Sequence, residues 1–141
     1  TKPEIISKIH EKYLESGCDI IETNTFNANR ISQADYGTEE HCYELNKKAA
    51  TLAKKACTKY SVEDKPRFVA GAIGPTNKTL SISPKVEDPG LREVTFDEMR
   101  ESYEEQLNGL IKQAYCLIKE LVNLISMGMI LGLTIKEGLT T

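Results

Sequence analysis

Two stretches decide the fold: Cys18-Asp19-Ile20-Ile21-Glu22-Thr23-Asn24-Thr25-Phe26 and Arg67-Phe68-Val69-Ala70-Gly71-Ala72-Ile73. Each is short and centred on apolar residues, the pattern of a buried strand. They predict parallel strands over 19–25 and 67–73, adjacent in space. Long amphipathic segments surround them. Residues 1–16 place Ile5, Ile9 and Tyr13, with Ile6 and Leu14 beside them, on one apolar helical face. Thr1 and Glu4 match a capping box, Pro3 suits a first turn, and Gly17 is a natural stop. Thr38 can cap a second helix to about residue 59, with Cys42, Leu45, Ala49, Leu52, Ala53 and Ala56 on one face. A third helix starts at Thr95, with a capping box to Glu98 and a stripe of Phe96, Met99, Tyr103, Leu107, Leu110 and Ile111. The order α-β-α-β-α, with a long helix between short apolar strands, specifies helical crossovers and the α/β class. Two strands do not make a stable parallel sheet by themselves, so more of the sheet is expected elsewhere.

Composition narrows the function. The 141 residues are 40% hydrophobic and 28% charged, enough for one ordinary domain with a buried core. A net charge of −3 with mixed signs gives no electrostatic case for nucleic acid or an anionic membrane as partner. Aromatic content of 6% without Trp argues against stacking platforms for bases or sugars. Cys18, Cys42, Cys57 and Cys116 show no close pairing, and Lys2, Lys8 and Lys12 interrupt any leader-like apolar run. A reducing, cytoplasmic setting with free thiols is expected. The chain starts at Thr1 without Met, which fits a slice of something longer.

The tail changes character. From Ala114 onward only Lys119, Glu120, Lys136 and Glu137 are charged, and 121–135 is almost wholly apolar. That run is short of the ~20 residues that span a bilayer. It reads as a buried helix or two short strands, although Gly128 and Gly132 form a G-x-x-x-G.

Parallel α/β folds place ligand sites beyond the carboxyl ends of their strands. Two loops leave such ends here, Thr23-Asn24-Thr25-Phe26 and Gly74-Pro75-Thr76-Asn77. Both are rich in small hydrogen-bonding groups suited to a small polar ligand such as an amino acid. Thr23, Asn24, Thr25 and Gly74 are the expected ligand-contacting residues. Glu22 is a further candidate, whose strand-end carboxylate can equally serve a neighbouring strand. No catalytic residue and no metal ligand is assigned. His41-Cys42 is the one His/Cys neighbour pair, and closed zinc sites need four ligands at short paired spacings. Cys42 and Cys57 read as small buried hydrophobes, and His10 as a solvated surface residue. No Walker loop, dinucleotide glycine motif or Ser/His/Asp arrangement is present in the sequence.

The same residues carry a resemblance. Asp19-Ile20-Ile21-Glu22-Thr23-Asn24-Thr25-Phe26, Gln33-Ala34-Asp35-Tyr36-Gly37 and the run from Phe68 through Gly74-Pro75-Thr76-Asn77-Lys78-Thr79-Leu80 resemble the homocysteine-binding module of cobalamin-dependent methionine synthases. Ser81-Ile82-Ser83-Pro84 and Thr95-Phe96-Asp97-Glu98 extend the likeness, which covers residues 1 to about 113. The shorter Glu-Thr-Asn-Thr-Phe and Gly-Pro signals alone indicate the wider homocysteine S-methyltransferase family. The resemblance implies a (β/α)8 barrel of which this chain supplies a fragment with two recognisable strands. It implies homocysteine at the carboxyl end and zinc held by three cysteine thiolates. Methylcobalamin is the implied methyl donor, recharged by methyltetrahydrofolate, and methionine the product.

The chain also departs from that pattern. The family's first strand would precede Thr1. Its zinc cysteines belong to later strands, one in a Gly-Gly-Cys-Cys motif that this sequence lacks. After Gln113 the likeness fades, so Cys116 is not carried over as a ligand. Residues 1–113 are therefore expected to form a partial barrel domain and 114–141 a divergent apolar tail. The chain by itself is expected to bind no cofactor and to be inactive. A non-catalytic interaction protein derived from half a barrel is the alternative, and a membrane-attached protein a third reading.

Overall fold

The computed structural model describes residues 2–111. The chain forms α1 (Pro3–Glu15), β1 (Ile20–Glu22), a short α2 (Arg30–Gln33), α3 (Cys42–Tyr60), β2 (Phe68–Ala70) and α4 (Phe96–Ile111). Two 3-10 turns, Ala34–Tyr36 and Glu39–His41, lead from α2 into α3. The strands pair in parallel, Ile20 opposite Phe68, Ile21 opposite Val69 and Glu22 opposite Ala70. This is an α/β arrangement with helical crossovers, as the sequence predicts. The expectations for 121–135 and for Cys116 lie outside the described residues. Among the described residues no helix is long and apolar enough to cross a membrane.

The ladder is shorter than the predicted strands for a local reason. Backbone pairing runs from Phe68 N–H on the Asp19 carbonyl to Thr23 N–H on the Ala70 carbonyl, both at 2.9 Å. Beyond that point the threonine side chains replace the backbone as partners of the second strand, as described below.

Two apolar clusters hold the helices to the sheet. Leu14, Ile21, Ala53, Ala56, Cys57 and Val69 join α1 and α3 to the outer face of the strand pair. Ala50, Ile73, Val94, Met99, Tyr103 and Leu110 fill the space between α3 and α4, with Ile31, Leu80 and Leu107 against them. Small residues on α3 let its neighbours approach. At Gly109 a Cβ would stand 2.7 Å from both Asn46 Cβ and the Tyr43 carbonyl oxygen, so α4 rests directly on α3 there.

The helix ends follow their chemistry. Thr95 and Glu98 form the expected capping box: Glu98 N–H donates to Thr95 Oγ1, and Thr95 N–H donates to Glu98 Oε2 at 2.7 Å. The Thr95 N–H and hydroxyl both donate to Glu98 Oε2 and hold that carboxyl below its ordinary value. Gly17 ends α1 with φ +100, a conformation costly for any side chain. Lys2 is the N-cap of α1 and gives no side-chain cap; Thr1 of the expected box lies outside the described residues. Thr38 turns back onto Gln33, at 2.7 Å from its Oε1, instead of capping α3.

Three sequence expectations need correction. His10 is buried, only 5% exposed, because α1 presents His10 and Leu14 to the protein while Ile5, Ile9 and Tyr13 stay exposed. Burial lowers its pKa, since the charged imidazolium loses hydration. On α4 the buried face is Met99, Ser102, Tyr103, Gln106, Gly109 and Leu110, with Phe96 and Ile111 outside it. On α3, Asn46 and Ala50 are buried while Leu45 and Leu52 are only partly so. In the last two cases the buried face is rotated toward small and polar residues.

Candidate functional site

Both loops at the carboxyl ends of the strands come together. Ile21, Thr23 and Thr25 share one parity and are buried, whereas Ile20, Glu22, Asn24 and Phe26 are exposed. The backbone thus sends the two threonines inward and Asn24 outward.

The threonines form a closed ring with Ala72. Ala72 N–H donates to Thr23 Oγ1 at 2.9 Å, and Thr25 Oγ1 donates to the Ala72 carbonyl at 2.7 Å. The two hydroxyl oxygens are 2.6 Å apart. Thr25 has one hydroxyl proton and spends it on Ala72, so Thr23 donates to Thr25. Each proton in the ring therefore has a fixed acceptor.

Two residues of α4 brace the same loops. Gln106 Nε2 donates to the Thr25 carbonyl at 2.7 Å, and Tyr103 Oη donates to the Gly74 carbonyl at 3.0 Å. Burial pushes the Tyr103 hydroxyl up to about 12, opposed by a backbone hydrogen bond at Thr76. Gly74 N–H donates to the Phe26 carbonyl at 2.7 Å, carrying the joining of the loops one step past the ring. Further out, Asn77 Nδ2 donates to Asp35 Oδ2 at 2.6 Å, and Gln33 Nε2 donates to the Asn27 carbonyl at 2.9 Å. Arg30 ties this rim to α4 through Glu105 Oε2 at 2.9 Å, and reaches Glu40 Oε1 at 2.8 Å.

Thr23, Asn24, Thr25 and Gly74 thus lie together at one end of the strand pair. Asn24 is the exposed polar group among them, and the hydroxyls of Thr23 and Thr25 are engaged with the backbone. Gln106 and Tyr103 were not singled out as site residues in the sequence. Gln106 carried a usable signal, falling seven residues after Met99 on the same helical face.

The strand-end loops of this parallel α/β scaffold lie where barrel- and sheet-type folds place their ligand sites. The family model described as homocysteine S-methyltransferase matches residues 1–131, and the chain belongs to that family. Its fold is similar to part of the barrel of the homocysteine methyltransferase MmuM from Escherichia coli. Crystal structures of the oxidized and metallated forms of that protein each superpose with a TM-score of 0.63 at 23% identity. Each superposition covers 82% of this chain, and the chain spans 40% and 41% of the respective MmuM chains.

The resemblance implies a three-thiolate zinc centre, and the described cysteines are Cys18, Cys42 and Cys57. Cys42 and Cys57 lie fifteen positions apart on α3, about 22 Å at 1.5 Å per residue. Sulfurs sharing one zinc ion lie within about 4 Å of one another. Burial pushes the Cys42 thiol up to about 11 and raises that of Cys57, away from the thiolate form that binds metal. Among the described residues no three His, Cys, Asp or Glu side chains are grouped to hold an ion. These residues do not fit the zinc centre.

Proposed function

We propose that this chain is part of a homocysteine-binding barrel, with 1–113 as the barrel portion and 114–141 as a divergent tail. The parent reaction is transfer of a methyl group from methylcobalamin to the sulfur of homocysteine, giving methionine, with methyltetrahydrofolate recharging the cobalamin. The methionine synthase type is favoured within the family by the combination of Glu22-Thr23-Asn24-Thr25-Phe26, Gln33-Ala34-Asp35-Tyr36-Gly37 and Gly74-Pro75-Thr76-Asn77-Lys78-Thr79-Leu80. The setting is cytoplasmic, and the partner is homocysteine, with neither nucleic acid nor membrane.

The observation that carries this reading is the junction of the two strand-end loops through the Thr23–Thr25–Ala72 ring. The substrate-binding set is Thr23, Asn24, Thr25 and Gly74. Asn24 offers its amide to the amino-acid head group, while Thr23, Thr25 and Gly74 shape the rim around it. Cys18, Cys42, Cys57 and Cys116 do not make a three-thiolate site in this reading, because Cys42 and Cys57 stand about 22 Å apart on α3, so the chain alone is expected to bind no stoichiometric zinc and to make no methionine. Metal analysis and a methyl-transfer assay with methylcobalamin, on purified monodisperse chain, test this. One equivalent of zinc together with turnover would overturn the inactive-part reading.

A further inference from the structure

Three amide side chains are completely buried around the loop that leaves β1: Asn29, Asn46 and Gln106, each 0% exposed. Each uses one end on a neighbour. Asn29 Oδ1 accepts from Ser32 N–H at 2.9 Å, capping α2. Asn46 Nδ2 donates to the Ala28 and Cys42 carbonyls, both at 2.7 Å. Gln106 Nε2 donates to the Thr25 carbonyl. The other end of each, Asn29 Nδ2, Asn46 Oδ1 and Gln106 Oε1, is buried without a protein partner.

The three side chains surround one turn. Thr25 and Ala28 form one turn, Ala28 N–H donating to the Thr25 carbonyl at 3.0 Å, and Asn29 follows directly. Gln106 grips the first residue of that turn and Asn46 the last. The close approach of Gly109 to Asn46 brings the next turn of α4, with Gln106, beside the same part of α3. Rotating the amides does not relieve the mismatch. A flipped Asn46 would set its oxygen against two carbonyls, and a flipped Gln106 would set its oxygen against one.

We propose that Asn29, Asn46 and Gln106 form a binding site for one internal water molecule beneath the β1 exit loop. The unmet groups are one amide donor and two carbonyl acceptors. A water accepts from Asn29 Nδ2 and donates its two protons to Asn46 Oδ1 and Gln106 Oε1. Buried waters typically make about three such bonds, and an unmet buried polar group is costly. The water thereby links α2, α3 and α4 behind Thr25, and the site stands whether or not the methyl-transfer reading holds.

The test is water-to-amide magnetisation transfer by NMR on the ¹⁵N-labelled full chain. Long-lived water signals, with the sign of a slowly tumbling molecule, are expected at the Asn29, Asn46 and Gln106 side-chain amides. Their absence at all three would overturn the proposal. So would a crystal structure with Asn29 Nδ2 bonded straight to either amide oxygen.

Discussion

The face of the Phe26 ring lies against Gly74: a Cβ built on this glycine would stand 2.6 Å from the ring carbons Cδ1, Cε1 and Cζ. Substituting Gly74→Ala must therefore move the ring. Phe26 is 48% exposed and has room to swing outward, so the fold survives. The expected cost is about 1–3 kcal/mol, the range for overpacking. The double variant Gly74→Ala, Phe26→Leu should recover most of it. Urea titrations of the four proteins give the coupling directly, and additive losses would show that the two residues do not press on each other.

Thr25→Val preserves shape while deleting a hydroxyl. It leaves the Ala72 carbonyl and the Thr23 proton without their partner. A loss of about 1–3 kcal/mol is expected for such buried groups. Thr23→Val should cost at least as much: it leaves Thr25 on the Ala72 carbonyl but strands the Ala72 N–H, and an orphaned buried N–H is rarer in folded proteins than an under-satisfied carbonyl. Thermal melts of both variants check the order.

The thiols should differ in reactivity. Cys42 is fully buried, and its thiol lies near 11, so at pH 8 about one in a thousand molecules carries the thiolate. Cys57 is also buried with a raised pKa, whereas Cys18 is partly exposed. A disulfide reagent followed by peptide mapping should label Cys18 of the native chain well before Cys42 or Cys57. Equal rates would mean that α3 opens readily.

Burial depresses the pKa of His10 in the folded protein below the usual 6.5, so the unfolded chain binds its proton first as pH falls. The stability contributed by neutral His10 is complete above about 6.5 and is lost as pH falls through the folded-state pKa. The variant His10→Leu should flatten the stability profile across that window. Denaturant midpoints measured from pH 7.5 to 4.5 decide it, and an unchanged slope would remove His10 as the cause.

The parallel pair was legible because Ile20, Ile21, Val69 and Ala70 sit in short apolar runs separated by a long helix. The capping box at Thr95 was legible because its signal is local. The buried faces of α3 and α4 were harder to find. Periodicity weights apolar residues, while Asn46 and Gln106 are buried for hydrogen bonds to Ala28 and Thr25, 18 and 81 residues away in sequence. No local pattern encodes such partners. His10 was misplaced for a related reason: Ile5, Ile9 and Tyr13 form the more apolar stripe of α1, yet the packing against α3 uses the face of Leu14. At the site, parity along β1 groups Thr23 and Thr25 with buried Ile21, and Asn24 with exposed Ile20. The ring with Ala72 depends on a second segment and emerges only in three dimensions.

The ring also makes the Ala72 amide a clock for the site. Its N–H is bound to a side-chain oxygen on the other loop, so it exchanges with solvent deuterium only when the two loops part. Neighbouring amides held within α3 report a different event, the unwinding of that helix. Comparing their exchange rates would separate opening of the rim from unfolding of the scaffold beneath it. A molecule lodged between the loops should slow Ala72 first.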